Sequence, residues 1–290
     1  MLKEYLLDWC QENSNRSQSG NCGNYCDNRY FCHHDCDDCL DQVHWYPSHE
    51  GRPDYTCSNL LLRYVLRFTH KYSNQIASAL DLIDQNNYPR FNILSIGCGG
   101  TPDLMAFEEE TRRSIFYCGY DRNVFWQDIH DKIEEYSFWR DGMDVNLYQE
   151  DIFSALSTGI SSKVRYNVIV IQYLLSHLFN TNQEQLTNRL FHALINEIIA
   201  NRLEDSPFLI IITDVDSMNK GRNRWFTFLD MLEDAGFHGV AYAKSAFPAG
   251  DLGKERWSRH KSSRCFQNIA YTYFQNESEH DGAQLIIELR

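Results

Sequence analysis

The sequence predicts an α/β fold: a mainly parallel sheet with helices on both faces, preceded by a small Cys-rich module. Three observations predict it. From residue 91 onward, short apolar runs alternate with stretches of helical length. The first of those runs enters FNILSIGCGGTPD (91–103), where glycines at 97, 99 and 100 lead straight into a helix start. Seven of the ten cysteines lie in the first 57 residues, around a stretch (13–28) too poor in apolar side chains to pack a core of its own.

The elements follow in order. Tyr5, Leu6 and Trp9 are spaced for one face of a short helix over 1–12. Then comes Cys22-x3-Cys26-x5-Cys32-His33-His34-x-Cys36-x2-Cys39. A structural zinc ion takes four thiolate or imidazole ligands in a tetrahedron. The two-residue gap of Cys36 and Cys39 lets one tight turn present both sulfurs, and Cys22 with Cys26 completes the set. Cys32, His33, His34 and His44 are alternative ligands. Disulfides and redox or cluster sites are the weaker explanations of the cysteines. Residues 57–84 have helical periodicity with Ser58 or Asn59 as a cap, and join the Cys-rich segment to the sheet. On this helix Tyr64, His70, Lys71 and Tyr72 read as packing and surface residues, although a helix just upstream of a glycine loop can close over its ligand.

The α/β region is predicted to run strand 92–96, helix 102–113 with Thr101 as N-cap and Pro102 at its first position, and strand 115–120 ending on Asp121. A helix over 124–140 and strand 145–149 follow, the latter ending at Glu150-Asp151-Ile152-Phe153. Strand 166–172, almost wholly apolar as a central strand is, precedes a helix over 182–203. Strand 208–213 ends on Asp214, and helix 222–235 stops at Gly236. The tail offers strands at 240–244, 269–274 and 284–289, the last two placed to form a hairpin that brings an antiparallel strand to the sheet edge. The domains read as a zinc-binding module (1–56), a helical connector (57–90) and a Rossmann-like domain (91–290).

In such sheets ligands sit beyond the carboxyl ends of the strands. Gly97 and Gly99 allow close backbone approach. Asp121, 22 residues past Gly99, is placed to accept from ribose hydroxyls, and Asp151 from an exocyclic amine, with Ile152 or Phe153 as an apolar wall. An Asp at a strand end is often only a turn or cap residue; successive strand ends in register are harder to explain that way.

Charge and length exclude some functions. A net charge of −13 argues against broad binding to nucleic acid, which needs clustered Lys and Arg. The local exception is 254–264 (KERWSRHKSSR), with six basic residues counting His260. It reads as a solvated loop, with contact to a phosphate or an acidic substrate as the sharper alternative. No apolar run approaches a membrane span. The N-terminus carries Lys3, Glu4, Asp8 and Glu12 and has no small-residue cleavage site, so a cytoplasmic protein is expected.

The order of these motifs resembles class I S-adenosylmethionine-dependent methyltransferases. ILSIGCGGTPD matches the glycine motif, YCGYD the acidic end of strand two and YQEDIF the adenine contact. YNVIVIQYLLSHL and FLIIITDVD match strands four and five, so the likeness spans 91–290. It implies a seven-stranded sheet with the last strand antiparallel and S-adenosylmethionine as methyl donor. The implied cofactor contacts are the loop Gly97, Cys98, Gly99 and Gly100 with Asp121, Arg122, Asp151, Ile152 and Gln172. The chain departs from the family in having Ser95 where an acid is usual and Thr101 where a third glycine is common. His177 is the candidate base, with an unperturbed pKa near neutrality, and Tyr173 the candidate beside it. Gln172 and Tyr173 also read as pocket floor; Asp214 and Asp216 complete the positions to watch, and Arg222, Arg224 and Trp225 could meet an acceptor. The acceptor expected is a protein or small molecule, with RNA possible through 254–264. Two other classes compete. One is a non-catalytic interaction protein on the same scaffold, docking through its zinc knuckle. The other is a nicotinamide dehydrogenase, which would want glycine at 102, where the chain has Pro102.

Overall fold

Strands that are apolar on both sides need helices on both sides, and that is how this chain folds. The computed structural model describes residues 1–17, 36–45, 55, 57–160, 164–215, 224–244, 257–259 and 282–290. The helices are α1 (Leu2–Ser17), α2 (Cys36–Trp45), α3 (Ser58–Leu80), α4 (Pro102–Glu110), α5 (Gln127–Phe138), α6 (Ile152–Ser157), α7 (Leu174–Asn180), α8 (Gln185–Ala193) and α9 (Arg224–Asp234). The strands are β1 (Arg90–Ile96), β2 (Ser114–Tyr120), β3 (Met143–Tyr148), β4 (Val168–Gln172), β5 (Phe208–Val215), β6 (Gly239–Lys244), β7 (Trp257–Arg259) and β8 (Gly282–Leu289). Among the described residues no helix is long and apolar enough to cross a membrane.

The strand order is β3-β2-β1-β4-β5-β8-β6-β7. Strands β1 to β5 are parallel neighbours, and β8 runs antiparallel between β5 and β6. Seven strands thus form the expected sheet, and three-residue β7 extends its edge beside β6. The strands alternate sides with period two. Ile93, Leu209 and Ile211 pack with α1, α3, α4 and α5 in one core. Leu94, Ile210 and Ile212 pack with α6, α8 and α9 in the other. Each such side chain buried in full contributes about 1.5–3 kcal/mol, so neither helical layer is dispensable.

Three expectations need correction. Both edges of β8 are occupied, by β5 and β6, so it forms no hairpin with 269–274 and is interior rather than an edge. Ala283, Leu285, Ile286 and Ile287 are buried, the doubly covered pattern of a central strand. The segment 269–274 lies outside the described residues. The helix expected over 182–203 is α8, whose end widens into a π turn (Leu194–Ile198) and a tight turn (Ile199–Asn201).

Helix α1 belongs to the main core: Leu2, Leu6, Leu7 and Cys10 are buried there. The Leu2 amide donates to Glu108 Oε2 on α4 at 2.7 Å, and Lys3 pairs with Glu109. Helix α2 docks on α3 through Leu40 and Val43 against Leu60, Phe68 and Tyr72. Cys36 and Cys39 therefore sit one turn apart on a helix rather than in a tight turn, a spacing that still puts both on one face. Cys22, Cys26, Cys32, His33 and His34 lie outside the described residues, as does the side chain of His44. Among the described residues no three His, Cys, Asp or Glu side chains gather as a metal site.

Candidate functional site

The carboxyl ends of β1 to β4 open into one cavity of about 660 Å³. Below it, β1 ends at Ile96 and the chain must reverse into α4. Gly97 (φ +67°) and Gly99 (φ +48°) supply left-handed backbone for that turn. The Gly97 and Cys98 amides donate to the Tyr120 carbonyl at 2.8 and 3.2 Å, fastening the turn to β2. Gly99 is clamped from both sides. Its N–H donates to Asp121 Oδ2 at 3.1 Å, and its carbonyl lies 2.8 Å from His130 Nε2, which must carry the hydrogen there. Burial holds the His130 pKa below its ordinary value, against the opposing bond to Gly99.

Thr101 corrects an expectation. It precedes α4, but at φ 54° it is left-handed, makes no side-chain cap bond, and its buried hydroxyl has no partner among the described residues. An N-cap side chain reaches the helix amides from extended backbone; this one does not adopt it. Pro102 does start the helix.

Of the nine residues expected to meet a cofactor, Gly97, Gly99, Asp121, Arg122, Asp151, Ile152 and Gln172 line the cavity. Cys98 and Gly100 do not. Cys98 is buried against Gly119, where an added Cβ would come within 2.8 Å of its sulfur. Gly100 lies under α3, where a Cβ would meet Val65 at 2.9 Å. Both let the layers close.

The carboxylates carry two jobs each. Asp121 Oδ1 accepts from the Asn123 amide at 2.9 Å while Oδ2 holds Gly99. Burial raises its pKa, opposed by those two amides. Each carboxylate oxygen has two lone pairs, so acceptor capacity remains toward the cavity. Asp151 is the N-cap of α6, its Oδ1 taking the Phe153 and Ser154 amides at 2.9 and 3.4 Å. Its Oδ2 is left for a donor in the cavity. Phe153 lines the same wall.

Both candidates for chemistry, Tyr173 and His177, line the cavity too. Tyr173 follows β4 in left-handed backbone (φ 56°), and its hydroxyl accepts from Gln75 Nε2 at 2.7 Å. Gln172 donates from Nε2 to the Tyr72 carbonyl at 3.1 Å, tying β4 to α3. Asp214 does not line the cavity. It is buried and accepts from the Ser176 amide at 3.0 Å, holding the N-terminus of α7, and burial pushes its pKa up to about 6. Trp225 packs in the core, and Asp216 and Arg222 lie outside the described residues.

The sequence reading took the roof for packing and surface residues, noting only that a helix upstream of the glycine loop can close over a ligand. Helix α3 contributes Tyr64, Lys71 and Tyr72 to the cavity, with Tyr55 and Trp126 beside them. These rings interlock: Tyr64 meets Tyr55 and Trp126 edge-on at 5.5 and 5.8 Å, and Tyr72 meets Tyr173 at 4.5 Å. Helical spacing alone could not separate them from core residues, since a stripe facing a cavity and one facing the sheet share a period.

No protein-family model matches this sequence, and neither does any curated protein. Solved structures it resembles include the plantazolicin methyltransferase BpumL in complex with SAH, at 12% identity over 97% of this chain and 100% of that one, TM-score 0.47. Another is the precorrin-6y C5,15-methyltransferase from Geobacter metallireducens GS-15, at 13% identity over 74% and 86%, TM-score 0.39. A third is a SAM-dependent methyltransferase from Agrobacterium tumefaciens, at 8% identity over 77% and 62%, TM-score 0.41. These neighbours are methyltransferases by their own descriptions; identities and scores this low assign this chain neither activity nor substrate.

Proposed function

We propose that the cavity binds S-adenosylmethionine and that the chain transfers its methyl group to an acceptor. One observation carries the reading: glycine backbone after β1, Asp121 after β2 and Asp151 after β3 converge on one cavity. The donor set fits an adenosine. Gly97 and Gly99 leave backbone open to close approach, Asp121 is an acceptor for ribose hydroxyls, and Asp151 Oδ2 is an acceptor for an exocyclic amine. Ile152 and Phe153 offer an apolar surface to a base. The volume is in the range of about 300–1,000 Å³ usual for small-molecule sites.

When bound, S-adenosylmethionine supplies a methyl group already activated on a positively charged sulfur. The protein's share is then chiefly alignment, which can contribute several kcal/mol by holding nucleophile and methyl in line. Tyr173, fixed by Gln75, shapes the floor against which an acceptor is held. His177 is the group to take a proton where the acceptor must lose one. The charge of −13 favours a protein or small-molecule acceptor over RNA.

Titration calorimetry of the full chain with S-adenosylhomocysteine and, separately, NADH tests the reading. Binding of the first with no heat from the second is expected. NADH binding alone would replace methyl transfer with a dehydrogenase.

We infer in addition that Cys22, Cys26, Cys36 and Cys39 hold a structural zinc ion. The support is their spacing, with Cys36 and Cys39 on one face of α2. Metal analysis of the purified chain is expected to find about one zinc per molecule. A chain that is metal-free and takes up no added zinc removes the proposal.

A further inference from the structure

We propose that a second cavity, at the opposite end of the sheet from the first, binds the phosphate group of a small phosphate ester. This site is independent of the cofactor reading above.

The topology sets the two sites apart. The first cavity lies beyond the carboxyl ends of β1 to β4. Strand β8 runs antiparallel to β5 and β6, and its Leu289 stands opposite Phe208 and Gly239, the first residues of those strands. The end of β8 therefore lies where the parallel strands begin. There a cavity of about 410 Å³ opens. The side chains on its wall are those of Arg202 ahead of β5, Phe237 and His238 between α9 and β6, Val240 on β6, and Arg290 after β8.

Two guanidinium groups and an imidazole thus share one wall with no carboxylate side chain, in a chain of net charge −13. The neighbouring acids are engaged elsewhere: Asp205 pairs with Arg90 at 3.5 Å, and Glu288 accepts from the Tyr88 hydroxyl at 3.2 Å. Among the described residues, Arg202, His238 and Arg290 enter no ion pair. Like charges gathered in one cavity repel, and an anion placed between them removes that cost. Arg202 is held ready for one. It is half-buried, its Nη1 donates to the Ile199 carbonyl at 3.4 Å, and its guanidinium lies 5.2 Å from the centre of the Phe237 ring. The other N–H groups of the planar fork remain to pair with phosphate oxygens. The Arg290 amide donates to the His238 carbonyl at 3.0 Å, which fixes the end of β8 beside the start of β6. A dianion answers two positive charges better than a single carboxylate does. The cavity is of a size for an organic molecule rather than a bare ion. Phe237 and Val240 give the rest of it an apolar face.

The test uses phenyl phosphate as probe, in calorimetry on the full chain at low salt. Saturable binding is expected, tighter than that of inorganic phosphate by about threefold or more because the ring is buried as well. Arg202→Gln is expected to weaken it by about tenfold or more, and Arg290→Gln, whose side chain is exposed, by about threefold. Arg202→Lys keeps the charge without the fork and restores part of the loss. Unchanged urea midpoints show that the variants are folded. Excess S-adenosylhomocysteine leaves the phenyl phosphate titration as it was, since the two cavities lie at opposite ends of the sheet. A wild type that does not bind the probe, or an Arg202→Gln chain that binds it equally well, overturns the proposal. Displacement by S-adenosylhomocysteine also overturns it, by placing the phosphate in the first cavity. Benzoate bound as tightly as phenyl phosphate removes the phosphate from the assignment, and inorganic phosphate bound as tightly removes the ester.

Discussion

Asp121→Asn is expected to weaken S-adenosylhomocysteine binding by about a hundredfold and to lower the stability of the chain by about 2 kcal/mol. The two losses have separate causes. In the wild type the Gly99 amide donates to one carboxylate oxygen and the Asn123 amide to the other. An asparagine offers one oxygen and one NH2, so whichever way it turns, one backbone N–H faces another donor. An amide left unpaired in a partly buried turn costs about 1–3 kcal/mol. With the NH2 turned toward it, Gly99 keeps only the His130 contact to hold it at φ +48°. Binding suffers further because a carboxylate accepting from ribose hydroxyls makes charge-assisted bonds, and the neutral amide does not. Urea unfolding and calorimetry on the same sample separate the effects. A variant that is destabilised but binds like the wild type would reduce Asp121 to a clamp on the turn and take the donor site with it.

That double duty marks how far the sequence could be read. Strand, glycine turn and helix start were legible because each has a local signature: an apolar run, left-handed positions that favour glycine, and a proline at the first helical position. The acids after β2 and β3 were legible from register. Their bonds to Gly99, Asn123, Phe153 and Ser154 were not, because those depend on how the turns close. Cys98 and Gly100 sit in the right loop but serve packing, and Gly119 carries the matching signal: a lone glycine inside a strand marks a close approach. The roof on α3, read as packing and surface residues, was the largest misassignment. Tyr64, Lys71 and Tyr72 face a cavity instead of the sheet, a distinction made by where α3 crosses β1 and β4 and by nothing in its own period. The place of β8 was misread for a related reason. Two neighbouring apolar stretches suggest a hairpin, whereas burial on both faces marks an interior strand.

Asp103→Asn is expected to change the pH dependence of stability, gaining about 2 kcal/mol relative to the wild type between pH 4.5 and pH 8. Asp103 lies in the first turn of α4, 1% exposed, accepting the Tyr117 hydroxyl at 3.0 and 3.2 Å on its two oxygens and bonding to Ser95. Burial raises its pKa from the ordinary 3.8 to about 6, more than the hydroxyls of Ser95 and Tyr117 and the nearby amides lower it. The folded protein therefore binds a proton here more readily than the unfolded chain. Its contribution to stability is fully present below the unfolded pKa and is lost as pH rises through about 6. Asparagine keeps the shape and never ionises, and the two hydroxyls can turn to accept from its NH2. Asp214, also raised to about 6 by burial, titrates alike in both proteins and cancels from the comparison. Urea unfolding of wild type and variant across this range is the measurement, with the free-energy difference plotted against pH. Curves that stay parallel would mean that Asp103 is ionised in the core at no cost, and that the hydroxyls of Ser95 and Tyr117 solvate it as well as water does.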